Sequence, residues 1–393
     1  MSDARKARIV YLAGPGNVIS TYQFWKKGEH DPKELNVTYS GQFYSVCERL
    51  DIQAHVISSN GSVELVSDDR FIIEHRPNSL DKKGGALYHI GQLKYGLNIM
   101  YTALKFKADY VLISAGTHWF MLWPLSIFGI KVIPTIHCML WPKYKPRKLI
   151  NKCIDFINGL FFQYAAYEVM SASKEITRQL DISGINKEKV HEFLPYYLDS
   201  GFKDIKQPLA GIKPFRLLFI GRVEKVKGVF DLLDVFNLLL SKGLMLELDY
   251  CGKGAALEEL KALTNDNALI RCHGHCNQTQ LLLILESSHC VAVPTRAELF
   301  EGFNQVVVES VLAGRPVVTS DVCPAIDYVM PAVVECEPDN ISSYAEGIER
   351  LYRDEAFYQS KRDACEALQH KFYDKNNSWG HILEAIIKRK MDA

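Results

Sequence analysis

Short apolar runs, each closing on a turn and leading into a segment with helical periodicity, recur along this chain in two successive series. In the first half they fall at 9–12, 54–58, 110–114, 132–136 and 167–170, and in the second at 217–220, 246–250, 270–272, 291–293 and 316–319. Strands that alternate with helices in this way predict an α/β fold with a parallel, doubly wound sheet in each half. Between the two series, residues 195–214 carry Pro195, Gly201, Pro208, Gly211 and Pro214 and few apolar residues, the composition of a linker. Two domains are therefore expected, 1–200 and 201–375. A closing helix within 376–393 is expected to pack back toward the first. The length of 393 residues suits two domains.

Other sequence features narrow the class. The chain is 48% hydrophobic and 23% charged, as in soluble globular proteins, and its 46 Lys and Arg balance 46 Asp and Glu, which gives no support for a nucleic-acid partner. No apolar run has the length needed to span a bilayer, and residues 1–8 are basic but run directly into the strand at Ile9 without the apolar core of a signal peptide. Ten scattered cysteines fit buried thiols in a reducing compartment. The expected location is cytoplasmic, at most peripheral at the inner membrane face. The cluster Cys272-His273-Gly274-His275-Cys276 offers four zinc-type ligands within five residues, but structural zinc sites draw ligands from two separated segments, so a strand-end turn is the alternative reading.

Several loops stand where ligands bind in such sheets, beyond the carboxyl ends of strands. Gly14 and Gly16 follow the first strand, and His137 directly follows the strand 132–136. For Gly16 a plain turn, and for His137 a loop hydrogen bond, are equally open. Residues 21–38 read as a long polar and aromatic loop, and Gly84-Gly85 lead into a helix at 90–106. Lys143, Lys145, Arg147, Lys148 and Lys152 precede the apolar residues of 154–162. That segment is either an ordinary surface helix with its apolar face in the core or a peripheral membrane contact through 143–162. In the second half, Arg222 and Lys227 flank a loop that ends at a helix N-terminus, where two cations and free N–H groups can neutralise a diphosphate. Two solvated cations are the alternative.

The densest signal is residues 294–309. An apolar strand gives way to a polar loop and then to an apolar-periodic helix reaching about Ala313, with Glu301 and Glu309 eight residues apart. Along one helix that spacing is roughly 12 Å, the span from a sugar ring across a diphosphate to a ribose. Backbone N–H groups near Gly302 at the helix start suit phosphate oxygens. The alternative is an acidic cap and one solvated Glu.

Taken in order, Gly221-Arg222…Lys227-Gly228, Gly252-x-Gly254, Pro294…Glu301-Gly302-Phe303…Glu309 and Ala313-Gly314-x-Pro316-Val317-Val318-x-Ser320 resemble the donor-binding half of the retaining family 4 glycosyltransferases, which have the GT-B fold of two Rossmann-like domains facing a central cleft. The resemblance is strong over about 215–335. It is by layout alone in the first half, through Gly14, Gly16, His137 and Ser171, and the whole chain most resembles bacterial members. It implies that Arg222 and Lys227 hold the donor diphosphate and stabilise it as leaving group, and that Glu301 contacts the sugar hydroxyls. It further implies that Glu309 binds the ribose, that Gly302, Phe303 and Asn304 offer backbone N–H groups, that His137 faces the sugar from the other domain, and that Gly16 lets the first loop approach the phosphates. The family commonly has Gly where this chain has Asn304, and a side chain there narrows the donor pocket or adds a hydrogen bond. The implied activity is retaining transfer from a nucleotide diphosphate sugar, UDP-sugar first and GDP-sugar next, to a glycan, a lipid-linked or a small-molecule acceptor. No metal or other cofactor is expected, since the chain lacks an Asp-x-Asp motif. A GT-B-like epimerase or phosphorylase, or a non-catalytic nucleotide-sugar-binding protein, are the alternatives.

Overall fold

The structure is a computed structural model that describes residues 5–78, 85–208 and 211–391. It divides into two compact units. The first comprises the described residues of 1–140, 147–196 and 375–393, and the second those of 141–146 and 197–374. Gly84, one half of the expected Gly84-Gly85 turn, lies outside the described residues, as do 209–210 of the linker segment and residues 1–4 of the basic N-terminus.

The first unit is built on strands β1 (Arg8–Leu12), β2 (Gln53–Ser58), β3 (Leu65–Ser67), β4 (Phe71–His75), β5 (Tyr110–Ile113), β6 (Lys131–Ile136), β7 (Val169–Ser171) and β8 (Val190–Glu192). They lie in the order β3-β4-β2-β1-β5-β6-β7-β8. The pairs are parallel except β3 with β4. The order reverses direction between β1 and β5, the switch point at which loops from neighbouring strands part to opposite faces. Ile9, Val10, Tyr11 and Leu12 are all buried, as a strand flanked by helices on both faces requires.

The second unit is a six-stranded parallel sheet of β9 (Phe215–Ile220), β10 (Leu246–Cys251), β11 (Ile270–Gly274), β12 (Cys290–Val293), β13 (Val317–Thr319) and β14 (Val333–Glu335). Its order is β11-β10-β9-β12-β13-β14, with the switch point between β9 and β12. The helix Val229–Ser241 buries Val229, Leu232, Leu233, Phe236 and Leu239, one face at a spacing of three and four residues. Both sheets thus match the expected doubly wound, parallel architecture.

Three expectations need correction. Residues 21–38 are not all loop: Asn17 caps the helix Val18–Lys26 by accepting a hydrogen bond from the Ser20 N–H at 2.9 Å, and Val18, Ile19 and Tyr22 are buried on its inner face. The cap and the i, i+3, i+4 apolar spacing outweigh the polar composition. The basic run 143–152 is not one surface feature. Lys143 and Lys145 belong to the second unit, where Lys143 is paired with Asp321 and Lys145 with Glu298 at 2.9 Å. The helix starts only at Leu149 and runs to Tyr164. Its apolar residues are not confined to the core, since Leu149, Ile150, Phe156 and Ile157 are exposed.

The closing helix Trp379–Met391 belongs to the first unit and buries Trp379, Leu383, Ile386 and Ile387 in its core. Among the described residues, no helix is long and apolar enough to cross a membrane.

Candidate active site

In the second unit the loops after β9, β10 and β12 are held together by contacts of backbone on backbone. Gly252 has φ +151°, and a Cβ there would stand 1.7 Å from the Gly221 carbonyl oxygen; one on Gly254 would stand 2.2 Å from that of Val223. The Val223 N–H donates to the Lys253 carbonyl and the Ala256 N–H to that of Val223, at 2.9 and 3.0 Å. On the other side of the switch point, a Cβ on Gly228 (φ +73°) would meet the Pro294 carbonyl oxygen at 2.0 Å, and the Arg296 N–H donates to the Val226 carbonyl at 3.0 Å. Only glycine permits such approaches. The result is a rigid frame at the carboxyl end of β9 and β12, the position where open α/β sheets bind ligands.

On this frame Lys227 forms an ion pair with Glu301, and both side chains are largely sheltered. Asn304 adds to the pair: its amide donates to Glu301 Oε2 at 3.3 Å and lies 3.3 Å from Cys323 Sγ. The Asn304 backbone has φ +72°, the left-handed region that Gly occupies freely and that Asn tolerates better than other residues. An Asn at this position therefore leaves the turn possible, and it places a hydrogen bond on Glu301. Burial raises the pKa of the neighbouring Cys323 thiol to about 11.

Glu301 is not on a helix. It sits in the loop four residues before the helix Gln305–Leu312, and Glu309 sits inside that helix, so the eight-residue spacing does not run along one axis. Glu309 is buried, and the hydroxyl of fully buried Tyr197 donates to its Oε1 at 3.3 Å. Gly302 and Phe303 lie between the two carboxylates, with Phe303 buried against Tyr328 and its carbonyl accepting from the Ala325 N–H at 2.8 Å. The first N–H groups of the helix have no partner within the helix itself. Arg222 stands apart from the Lys227–Glu301 pair. Its side chain is 63% exposed and bonded to Glu224 at 2.9 Å.

In the first unit, Gly16 lies after β1 next to the capping residue Asn17, and its carbonyl accepts from Ser58 Oγ at 2.5 Å. A Cβ on it would meet no atom within 4 Å. His137 follows β6. Its ring sits 4.7 Å from that of Tyr39 and 5.4 Å from that of Phe193, and Nε2 is 3.1 Å from Thr135 Oγ1. The Trp379 Nε1–H donates to the same hydroxyl at 2.9 Å, leaving the Thr135 O–H free to donate to the imidazole. Desolvation among these rings lowers the His137 pKa to about 4, so the ring is neutral at neutral pH.

The Cys272–Cys276 segment is a strand end and a turn, with its side chains diverging. His273 Nε2 bonds Asp249 at 2.6 Å, Cys272 faces Thr264, and Cys276 faces the Gly274 carbonyl. Among the described residues, no three His, Cys, Asp or Glu side chains are placed to hold a metal ion.

Residues 202–369 match the family Glycosyl transferases group 1. The matched residues lie within the second unit. Among curated proteins, the chain is 27% identical over 165 residues to a glycogen synthase of Mycobacterium tuberculosis, a match covering 41% of this chain and 39% of that protein. The chain thus spans about two fifths of the length of that relative. Among solved structures, an α,α-trehalose 6-phosphate synthase from Burkholderia multivorans superposes with a TM-score of 0.72 at 12% identity over 99% of both chains. HepE of Anabaena in complex with UDP-glucose superposes with a TM-score of 0.64 at 14% identity over 98% of this chain and 100% of that one. The fold is GT-B, with two Rossmann-like parallel-sheet units.

Sequence reasoning missed Tyr197 and Cys323. Both act through tertiary placement: Tyr197 lies 112 positions before Glu309 and Cys323 lies 19 after Asn304, and neither belongs to a motif. The left-handed backbone at Asn304 was legible in principle, since the glycosyltransferases that this stretch resembles commonly have Gly there.

Proposed function

We propose that this protein is a retaining glycosyltransferase that uses a nucleotide diphosphate sugar, with a UDP-sugar as first choice, and needs no metal. The observation that carries the proposal is the Lys227–Glu301 pair, fixed by Asn304 on a glycine-built frame at the β9/β12 switch point. Breaking the anomeric C–O bond leaves negative charge on the diphosphate and positive charge on the sugar ring. Preorganised cations and dipoles aimed at the departing phosphates lower that barrier. Lys227 is assigned to the leaving diphosphate, with the exposed Arg222 turning from Glu224 to join it from the same loop. The amides of Gly302, Phe303 and Asn304 and the start of the helix Gln305–Leu312 add fixed partial positive charge.

In this reading the ion pair is the resting state. The donor separates it: Lys227 turns to the phosphates and Glu301 to the sugar hydroxyls, while each keeps a counter-charge or hydrogen-bond partner throughout. Glu309, steadied by Tyr197, takes the ribose hydroxyls. His137, held neutral by its aromatic surroundings, serves as a hydrogen-bonding group to the sugar, and Gly16 leaves room beside the first loop. The structures of HepE with UDP and UDP-glucose support a UDP-sugar donor by analogy of fold.

The test is a panel of UDP-, GDP-, ADP- and TDP-sugars, read by thermal shift and by slow donor hydrolysis. A UDP-sugar should stabilise the protein and be hydrolysed with retained configuration in the presence of EDTA. Inverted product would remove the retaining assignment, dependence on a divalent cation would remove metal independence, and silence across the panel would remove the transferase reading.

A further inference from the structure

Two helices of the first unit are apolar on the wrong side as well as the right one. The helix Ala86–Phe106 buries Gln92, Tyr95, Gly96, Ile99, Thr102 and Ala103. On its opposite side, Leu87, Ile90, Leu93, Leu97, Tyr101 and Leu104 recur at intervals of three and four residues and are all exposed, Leu97 by 57%. The helix Leu149–Tyr164 repeats the arrangement. Asn158, Gly159, Phe161 and Phe162 are buried, while Leu149, Ile150, Phe156 and Ile157 face outward, Phe156 by 67%. A solvated surface helix carries its polar residues on that outer side.

The two outer faces belong to one layer. Both helices pack against the short turn Trp119–Leu122. Topology requires the same: the crossovers β4 to β5 and β6 to β7 advance in one direction along the sheet, and right-handed connections then place both helices on the same face. The helices Val18–Lys26 and Tyr39–Arg49, which connect β1 to β2 in the other direction, lie on the opposite face.

Charge identifies what covers this layer. The chain as a whole is neutral, yet residues 86–140 and 147–164, the parts of this stretch in the first unit, hold seven Lys and Arg against two Asp and Glu. Both acids are engaged: Asp109 with Arg5, and Asp155 with Arg147 at 3.0 Å. Lys94, Lys105, Lys107, Lys148 and Lys152 remain exposed beside the apolar stripes. A second copy docked face to face about a two-fold axis would bring lysines against lysines, which disfavours self-association. An anionic bilayer complements both features at once, taking the apolar side chains between headgroups while the lysines meet lipid phosphates.

We propose that this outer layer, the helices Ala86–Phe106 and Leu149–Tyr164, seats the protein on an anionic lipid surface. The docking stands on the first unit alone. Its consequence for chemistry, that the acceptor is presented from that lipid surface, rests on the transferase reading.

The test is flotation of the full chain with vesicles of phosphatidylcholine alone or with phosphatidylglycerol added. Binding is expected only with the anionic lipid, and it should weaken with salt. The double variant Leu97→Glu/Phe156→Glu should lower the vesicle-bound fraction by roughly tenfold or more. Because both positions are exposed, its melting temperature and its UDP-induced thermal shift should match those of the parent. Absence of flotation on either vesicle, or equal flotation of the variant, overturns the proposal. So does a dimer in sedimentation velocity that the variant dissolves without any vesicle binding. Because the UDP shift is read separately, a failed docking test leaves the donor assignment standing, and a failed UDP shift leaves docking standing.

Discussion

The switch points of the two sheets are furnished with opposite chemistry. At β9/β12 the turns are locked: Gly228, Gly252 and Gly254 each lie against a carbonyl oxygen that leaves no room for a Cβ, and the frame carries Lys227, Glu301 and Glu309. At β1/β5 the turn is open, since a Cβ on Gly16 meets nothing within 4 Å, and His137, after β6 in the same sheet, is an uncharged ring among aromatics. A rigid charged frame suits a group whose geometry and charge are invariant, such as a diphosphate. An open, neutral loop suits a partner that varies. The match to a known family falls in the second unit, the one with the locked frame.

The largest expected effect tests the charged side. Lys227→Ala should reduce turnover by roughly 10²–10³-fold, the cost of removing one preorganised charge from a leaving group. The melting temperature should fall as well, because the sheltered Glu301 carboxylate loses its counter-charge and keeps the Asn304 amide as its donor. Steady-state rates at saturating donor decide it, and unchanged turnover would exclude Lys227 from the leaving-group role.

Next comes the frame itself. Gly252→Ala should destabilise the second unit by about 3 kcal/mol or more, through the clash with Gly221 and a backbone angle that alanine rarely takes. Gly16→Ala should stay within about 0.5 kcal/mol. Denaturant melts of both variants measure the contrast, and equal losses would erase it.

A third experiment sharpens the electrostatic comparison. Each unit holds a histidine whose pKa burial lowers to about 4: His137 in the first and, in the second, His289, stacked on Phe215 with Nδ1 accepting the Arg216 N–H at 3.0 Å. Since the unfolded rings titrate near the ordinary 6.5, unfolding takes up protons below that pH. The stability from each neutral ring is complete above about 6.5 and is lost as the pH falls toward 4, on the order of 2 kcal/mol per ring. NMR titration of the ring resonances should find both neutral at pH 6, and a midpoint near 6.5 for His137 would contradict its burial.

The smallest effect belongs to Asn304. Asn304→Gly keeps the left-handed turn and removes the hydrogen bond to Glu301, so stability should change by under about 1 kcal/mol. Donor preference should shift more than stability does. Relative donor affinities by calorimetry settle this, and an identical donor profile would make Asn304 a turn residue only.

Much of the fold was readable because strands buried on both faces announce themselves as unbroken apolar runs, as at β1, β6 and β12. The helix Val18–Lys26 was not, because Val18 and Ile19 are its two aliphatic residues and the other seven are polar or aromatic. In the site, residue types and order pointed to Arg222, Lys227, Glu301 and Glu309, but which of them meet depended on loop geometry: Lys227 reaches Glu301, whereas Arg222 is bonded to Glu224. The outward apolar faces of the helices Ala86–Phe106 and Leu149–Tyr164 were hidden for a different reason. Periodicity reveals an apolar stripe but not which side the sheet covers.

The helix Trp379–Met391 carries a consequence for how the chain is made. Its Trp379 donates to Thr135, the residue that bonds His137, and its ring packs 5.6 Å from that of Tyr11 in β1. Synthesis proceeds from the N-terminus, so the first unit, whose strands emerge earliest, waits for the last part of the chain before its core closes, while the second unit, complete by residue 374, is free to fold sooner. The order of translation is thus inverted in the order of completion. A chain cut just before Trp379 would hold the whole second unit beside a first unit in which Tyr11 and Tyr39 lack the packing of the Trp379 ring.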